Sequence, residues 1–341
     1  LSSISEREDD VAAYGLKILA TGSYTPPRVM TNADFEKFLD TSDEWITTRT
    51  GIRKRHIADD SVTTSDLAVE ASRIAIRDAG LVHDDIDTII VATVTPDMFF
   101  PSSACFVHKK LGISHEVIAF DVFAACTGFV YGMATAAAYL RSGLSKNVLL
   151  IGAETLSKFV DWKDRGTCIL FGDGAGAMVL QRTDDPSQDA VRSVYLGADG
   201  NYDHLLSCPG GGSKYRVTHE SVDANLHTLK MSGKEVFKVA VNSMVRAVEE
   251  ACTRAGISPQ QLDLLIPHQA NLRIINAVGE RVSGSEGKVF VNVHKYGNMS
   301  SATTIVALDE AIREGRVKPG SLVCMVAFGG GFTWGAAVIR L

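Results

Sequence analysis

The same succession of helix, turn and strand occurs twice in this chain, and that duplication narrows the folds open to it more than any other feature. Residues 66–91, DLAVEASRIAIRDAGLVHDDIDTIIV, align with residues 242–267, NSMVRAVEEACTRAGISPQQLDLLIP. In each, apolar side chains recur at three- and four-residue spacing, as on one face of a helix. Ala79-Gly80 and Ala255-Gly256 follow at an offset of 176, where a glycine is expected to close the helix C-terminus. A polar turn and an apolar strand complete each unit. A second pair, 118–143 and 290–315, reads strand, small-residue turn and helix, ending on Arg141 and Arg313 at an offset of 172. A third, ILFGDGAGAMVL (169–180) and MVAFGGGFTWGAAVI (325–339), reads as two Gly-rich hairpins joining apolar strands. Each pair alone is a resemblance that unrelated α/β units also show. Three pairs in one order indicate duplication.

Two such halves predict an α/β protein of layered sheets covered by helices. The boundary is expected in the polar segment QRTDDPSQDA (181–190), giving halves 15–185 and 186–341 after a flexible leader, residues 1–14. That leader is acidic and lacks an apolar stretch, so it reads neither as a secretory signal nor as an organelle-targeting peptide. Charge or glycine interrupts every apolar run well short of a membrane span. Net charge is −6 and no Lys/Arg-rich run stands out, which argues against nucleic acid while leaving room for an acidic protein to dock on a local basic patch. Six cysteines without a C-x-x-C pair form neither a disulfide framework nor a zinc pattern, and fit a reducing cytoplasm.

The repeat also places individual residues. Cys126, in AFDVFAACTGFVYG (119–132), follows a strand and opens an almost uncharged, alanine-rich helix that reads as buried on nearly every side. A cysteine at a helix N-terminus meets unpaired N–H groups and the positive end of the dipole, which lowers its pKa. The plain alternative is one more core cysteine. At the 172 offset Cys126 maps onto Asn298, also expected at a helix start, and at the 176 offset His268 maps onto Ala92, both at strand C-terminal ends. Ligands of α/β sheets gather at such ends. His268 follows LDLLIP and can accept a thiol proton or donate to an oxyanion; the alternative is a loop-capping or surface histidine. Asn298 offers an N–H₂ donor, or caps a turn.

Cys, His and Asn together allow a cysteine hydrolase in which Asn orients His, or an acyl-transfer centre in which both aim at one oxygen. The glycines of FGGGFTWG (328–335) can bring backbone N–H groups to the thiolate as an oxyanion hole. No metal is assigned. GDGAGA falls short of the dinucleotide fingerprint, so no nicotinamide is assigned either.

The motifs TSDEWITTRTGIRKRH (41–56), FPSSAC (100–105), DVFAACTGF (121–129), DRGTCILFGDGAGA (164–177), GKEVFKVAV (233–241), PHQANLRII (267–275), YGNMSSA (296–302) and FGGGFTWG (328–335), in this order over residues 17–341, resemble β-ketoacyl-acyl-carrier-protein synthase III of the thiolase-like superfamily. The resemblance implies duplicated halves in a five-layered αβαβα sandwich with pseudo-two-fold symmetry. It implies that Cys126 takes an acyl group, acetyl first of all, from coenzyme A. His268 and Asn298 would then promote decarboxylation of malonyl-acyl carrier protein, whose enolate attacks the Cys126 thioester and starts a fatty acid. Backbone N–H groups of Cys126 and Gly330 would hold the oxyanion. Trp45, Arg49 and Arg165 match positions contacting the coenzyme's nucleotide, Arg273 one that docks the carrier protein, and Phe100 one that reaches a partner subunit's acyl pocket, hence a homodimer. No permanently bound cofactor and no membrane or nucleic-acid partner is implied.

The sequence departs from its relatives at Lys234, where Asn is common, at Tyr296 and Met299, which replace His and Thr, and in the loop VSGSEGK (282–288). These positions are expected to line or approach the substrate tunnel, so the acyl preference stays open. A condensing enzyme with a branched, aromatic or longer starter, a thioester hydrolase, and a non-catalytic acyl-binding protein remain as alternatives.

Overall fold

The computed structural model describes residues 14–282 and 287–341. All of the expected leader except Tyr14, and most of the loop 282–288, lie outside the described residues. Tyr14 itself packs under the Arg182 guanidinium, 4.4 Å from its ring centroid.

In the first half the principal elements are β1 (Gly15–Tyr24), α1 (Asp43–Thr50), α2 (Thr64–Asp78), β2 (Thr88–Ala92), α3 (Ser103–Leu111), β3 (Ile118–Val122), α4 (Gly128–Arg141), β4 (Asn147–Thr155) and β5 (Asp173–Thr183). The second half contributes β6 (Val191–Ala198), α5 (Gly233–Arg254), β7 (Leu264–Pro267), α6 (Leu272–Val282), α7 (Ala302–Arg313), β8 (Leu322–Gly329) and β9 (Thr333–Arg340). The first sheet runs β1-β5-β4-β2-β3 and the second β6-β9-β8-β7, so corresponding strands occupy corresponding places. In the first sheet β4-β2 and β2-β3 are parallel pairs, in the second β8-β7 is parallel, and the remaining pairs of both sheets are antiparallel.

Helices α2 and α3 cover one face of the first sheet, α5 with α6 covers the far face of the second, and α4 and α7 lie side by side between the sheets. This is the αβαβα arrangement. The central layer is where apolar burial is densest. Phe129, Val130, Met133 and Leu140 of α4 meet Ile305 and Leu308 of α7, with Leu150 from one sheet and Met325 from the other. Each large side chain so buried contributes about 1.5–3 kcal/mol. The helix read as uncharged and alanine-rich is therefore the one sandwiched between two sheets.

Two expectations change. The strand expected near 290 is reduced to a single bridge between Leu265 and Val289, because the chain turns at once toward the site instead of extending the sheet. The glycines of 169–180 do not form a hairpin. They lie within and just before β5, and the long connection 156–172 separates β5 from its antiparallel neighbour β4. Only the second half has the expected hairpin, β8 to β9. The glycines serve close approach. A Cβ on Gly176 would lie 2.6 Å from Ile305 Cγ2, and one on Gly152 in β4 would lie 2.7 Å from the Ser301 carbonyl oxygen. Bare backbone lets the start of α7 press against the first sheet.

Gly152→Ala should therefore destabilise the protein by about 1–3 kcal/mol, because a backbone carbonyl has to move. Gly200→Ala meets nothing within 4 Å and should stay within about 0.5 kcal/mol of wild type. Urea unfolding midpoints of the two variants check the contrast.

Candidate active site

Cys126 sits in a single 3₁₀ turn, Ala125–Thr127, between β3 and α4. Ala125 adopts φ +47°, a left-handed conformation that costs a non-glycine residue on the order of 1 kcal/mol or more. The elbow turns the thiol into the interior below the helix start. Gly329, at the end of β8, closes the other side: a Cβ there would come within 2.6 Å of the Cys126 backbone nitrogen. The glycine run is thus beside the nucleophile's N–H, and Gly330 shares a cavity wall with Cys126.

His268 follows β7 directly, and its N–H donates to the Val326 carbonyl (2.7 Å). Its Nδ1 lies 2.6 Å from the Thr303 hydroxyl, which also back-bonds to the Ser300 carbonyl at 2.9 Å. Thr303 satisfies either tautomer. It accepts from Nδ1–H while its own proton rests on Ser300, or donates to bare Nδ1 and leaves the proton on Nε2. Asn298 is gripped by the connection before β5: its N–H donates to the Leu170 carbonyl (2.8 Å) and its carbonyl accepts from Gly172 N–H (3.0 Å). Its Oδ1 accepts from Ser300 N–H at 2.8 Å, so Nδ2 is the free end. Cys126, His268 and Asn298 are 7%, 4% and 7% exposed, and all three line one cavity of about 540 Å³.

That cavity runs outward past Trp45, Arg49, Arg165, Lys234 and Arg273. The guanidinium carbons of Arg49 and Arg165 stand 4.4 and 5.1 Å from the Trp45 ring, and Arg165 also pairs with Asp40. Arg273, on α6, stacks on Phe237. A second cavity of about 590 Å³ opens on the other side of Cys126, bounded by Phe99, Phe123, Leu156, Ser300 and Gly330. Cys126, Phe171 and Leu206 line both. The nucleophile is at their junction.

Several sequence-based expectations are corrected. Cys126 is not an acidified thiol: burial, the largest cause, pushes it up to about 12, a negative charge on Glu154 would push in the same direction, and the Ser300 hydroxyl opposes them. The expectation for Phe100 concerns a partner subunit and is not among these; within one chain Phe100 lines neither cavity. It is 84% exposed, in a patch with Met98, Phe99 and Phe123. Tyr296 and Met299 line neither cavity; they pack with Ala302 and Val306 behind the Asn298 turn. Lys234 does line the tunnel. Thr303 and Ser300 were not singled out by the sequence, because their roles depend on which way the 298–303 segment folds.

Profiles of 3-oxoacyl-(acyl-carrier-protein) synthase III match residues 120–200, and of its C-terminal part residues 252–341. The chain is 54% identical over 323 residues to β-ketoacyl-(acyl-carrier-protein) synthase III of Caldanaerobacter subterraneus subsp. tengcongensis, covering 95% of this chain and 97% of the relative. The chain belongs to the β-ketoacyl-acyl-carrier-protein synthase III family. Its fold superimposes on the crystal structure of the Aquifex aeolicus synthase III with a TM-score of 0.87 at 47% identity, over 96% of this chain and 100% of that one. A priming β-ketosynthase of a polyketide biosynthetic pathway matches with the same TM-score at 34% identity, over 96% of each chain. Both solved structures share this chain's fold.

Burial holds His268 neutral, with a pKa lowered to about 3. Below its unfolded value near 6.5 the unfolded chain binds a proton that the native state does not. Stability therefore falls as pH drops from 6.5 toward 3. His268→Gln should remove this contribution, about 2 kcal/mol at pH 5. Chemical denaturation of both proteins at pH 8 and pH 5 reads it as the difference of differences.

Proposed function

We propose that this chain catalyses the synthase III reaction: transfer of a short acyl group from coenzyme A to Cys126, then decarboxylative condensation with malonyl-acyl carrier protein. The observation that carries the reading is the position of Cys126 at the junction of a polar-mouthed tunnel and an apolar cavity, with His268 and Asn298 in the tunnel beside it. The halves 15–185 and 186–341 divide the labour. The first supplies the nucleophile and the second the two polar groups.

In the first half-reaction the Cys126 S–H bond breaks, a C–S bond forms to the acyl carbon, and the coenzyme's sulfur leaves with a proton. Because the thiol rests protonated, that proton has to move as the thioester arrives. His268 Nε2 relays it from one sulfur to the other. The N–H groups of Cys126 and Gly330 hold the tetrahedral oxyanion. In the second half-reaction the malonyl C–C bond breaks and carbon dioxide leaves with no base needed at carbon. Electrons gather on the thioester oxygen, where Asn298 Nδ2–H and His268 Nε2–H donate. The enolate carbon then attacks the acyl-Cys126 carbonyl and expels the Cys126 thiolate, which takes up one proton from solvent and returns to the resting thiol. A well-placed donor of this kind is worth about 3 kcal/mol, and the covalent intermediate makes the kinetics ping-pong.

The tunnel mouth fits its substrates. Trp45 with Arg49 and Arg165 offers a flat face and guanidinium planes for a purine and its phosphates, one cation yielding its place on the ring. Arg273 and Lys234 offer positive charge to an acidic carrier protein and act chiefly on encounter and orientation. The exposed Met98, Phe99, Phe100 and Phe123 fit a homodimer contact that closes the apolar cavity. Catalysis needs no permanently bound cofactor, and the work belongs in the cytoplasm. Among the described residues no helix is long and apolar enough to cross a membrane.

The second reading is a specialised starter. It is favoured by the 590 Å³ cavity, which is roomy for acetyl, and by the likeness to a priming β-ketosynthase. Intact-mass measurement after incubation with acetyl-CoA and a panel of longer, branched and aromatic acyl-CoAs decides between the two. One acyl adduct is expected, absent in Cys126→Ala and discharged by malonyl-acyl carrier protein as 3-oxoacyl-carrier protein. Release as free acid would indicate a hydrolase, and no adduct with any thioester would overturn the reading. Asn298→Ala should still load but condense about 10²–10³-fold more slowly.

A further inference from the structure

Glu154 is the group at this site that the reaction above does not use. It is the penultimate residue of β4, with no exposed surface, and among the described residues no Lys, Arg or His forms an ion pair with it. Hydroxyl and amide groups surround it instead. Its Oε2 accepts from Thr95 Oγ1 at 2.7 Å, Val94 N–H at 3.1 Å and Thr93 Oγ1 at 3.2 Å. Its Oε1 lies 2.9 Å from Ser301 Oγ.

Ser301 decides where the proton is. Its Oγ also lies 2.7 Å from the Ala92 carbonyl oxygen, which can only accept. A hydroxyl has one proton to give. Placed toward Ala92, it leaves the 2.9 Å contact to be filled by a proton on Glu154. With an ionised carboxylate, one of these short oxygen–oxygen contacts has no hydrogen between two acceptors, inside a dry core where that repulsion is large. A protonated Glu154 satisfies every contact: Oε1–H donates to Ser301 Oγ, which donates to the Ala92 carbonyl.

We propose that Glu154 is held as a neutral carboxylic acid, and that in this form it positions the Asn298 turn while keeping negative charge away from Cys126. The positioning runs through adjacent residues. Glu154 fixes Ser301; Ser300 before it adopts φ +43°, a strained conformation that needs an anchor; and Ser300 N–H holds the Asn298 amide with Nδ2 free. The Ser300 hydroxyl is buried without a well-formed partner, and it faces the Cys126 sulfur and the Glu154 carboxyl. Burial independently favours the neutral acid, pushing the Glu154 carboxyl above its ordinary value against its hydrogen bonds to Thr95, Val94 and Ser301. Cys126 is the titratable group coupled to it, and a carboxylate there would oppose every build-up of thiolate.

The positioning part rests on the proposed roles of Cys126 and Asn298; the protonation state does not. Infrared difference spectra of wild type against Glu154→Gln, in D₂O at pH 7–8, test that state directly. A carboxylic-acid C=O band that Glu154→Gln removes is expected. No such band in folded wild type overturns the proposal whatever the enzyme catalyses. Glu154→Ala should slow condensation about 10²-fold with a smaller effect on acyl loading of Cys126. Glu154→Gln keeps the donor and acceptor pattern without a charge. It should recover most of that loss and leave the pH profile of Cys126 alkylation by iodoacetamide unmoved. A Gln variant as impaired as Ala, or one whose alkylation profile shifts to lower pH, overturns the neutral acid. If the Ala variant does not fold, the infrared band and the alkylation profile of the Gln variant still decide.

Discussion

The Ser301 carbonyl rests on the bare backbone of Gly152, and the rest of the site depends on that contact. No side chain stands between β4 and the turn that starts α7. The six residues 298–303 therefore run across the strand ends of the first sheet while belonging to the second half. From that path Asn298 meets the connection before β5, Ser301 reaches Ala92 and Glu154, and Thr303 reaches back to His268. A side chain at 152 would lift the segment as a unit, and the His and Asn contributions would move with it. Misplacements of this kind are felt strongly because preorganised donors act only when aimed at the oxygen that gains charge.

The same burial sets the electrical state of the resting site. It raises the thiol of Cys126, lowers the basicity of His268 and raises the Glu154 carboxyl. All three are pushed toward their neutral forms. A helix start alone argues for a thiolate, but the field of one helix terminus is worth at most a few kcal/mol, and full desolvation of a sulfur anion outweighs it. Charge is thus made only when a thioester brings its own carbonyl and leaving sulfur into the tunnel. A resting thiol of this kind is also protected from adventitious oxidants, since the thiolate is the reactive form.

What the sequence made legible was what depends on local pattern. The paired helices, their glycine ends near φ +70° at Gly80 and Gly256, the buried α4, and the meeting of 126, 268 and 298 all follow from periodicity and two offsets. The resemblance supplied the chemistry and the outlying residues. What stayed hidden depends on contacts between segments far apart in the chain. The glycines at 172, 174 and 176 look like turn residues until Tyr296, Met299 and Ile305 are laid against them. Glu154 looks like the charged end of a strand until the threonines at 93 and 95 and Ser301 close round it. The thiol's protonation could not be read from a helix start, because dryness is a property of the whole fold.

The duplication explains why the site is built from unlike residues at like positions. Position 92 of the first half corresponds to His268 of the second, and it is an alanine packed against Gly128 of its own half; a Cβ on that glycine would stand 3.0 Å from the Ala92 Cβ. An imidazole at 92 would have no room there. Asn298 corresponds to Cys126, and the chain from each to the paired Arg141 and Arg313 is equally long, but α7 begins four residues beyond Asn298 where α4 begins two beyond Cys126. The later start leaves Ser300 and Ser301 outside the helix, beside the Glu154 carboxyl. Two identical halves would present either two nucleophiles or two sets of donors. Starting one helix early and the other late gives one of each, and the carboxyl of the first half holds the late-starting turn of the second in place.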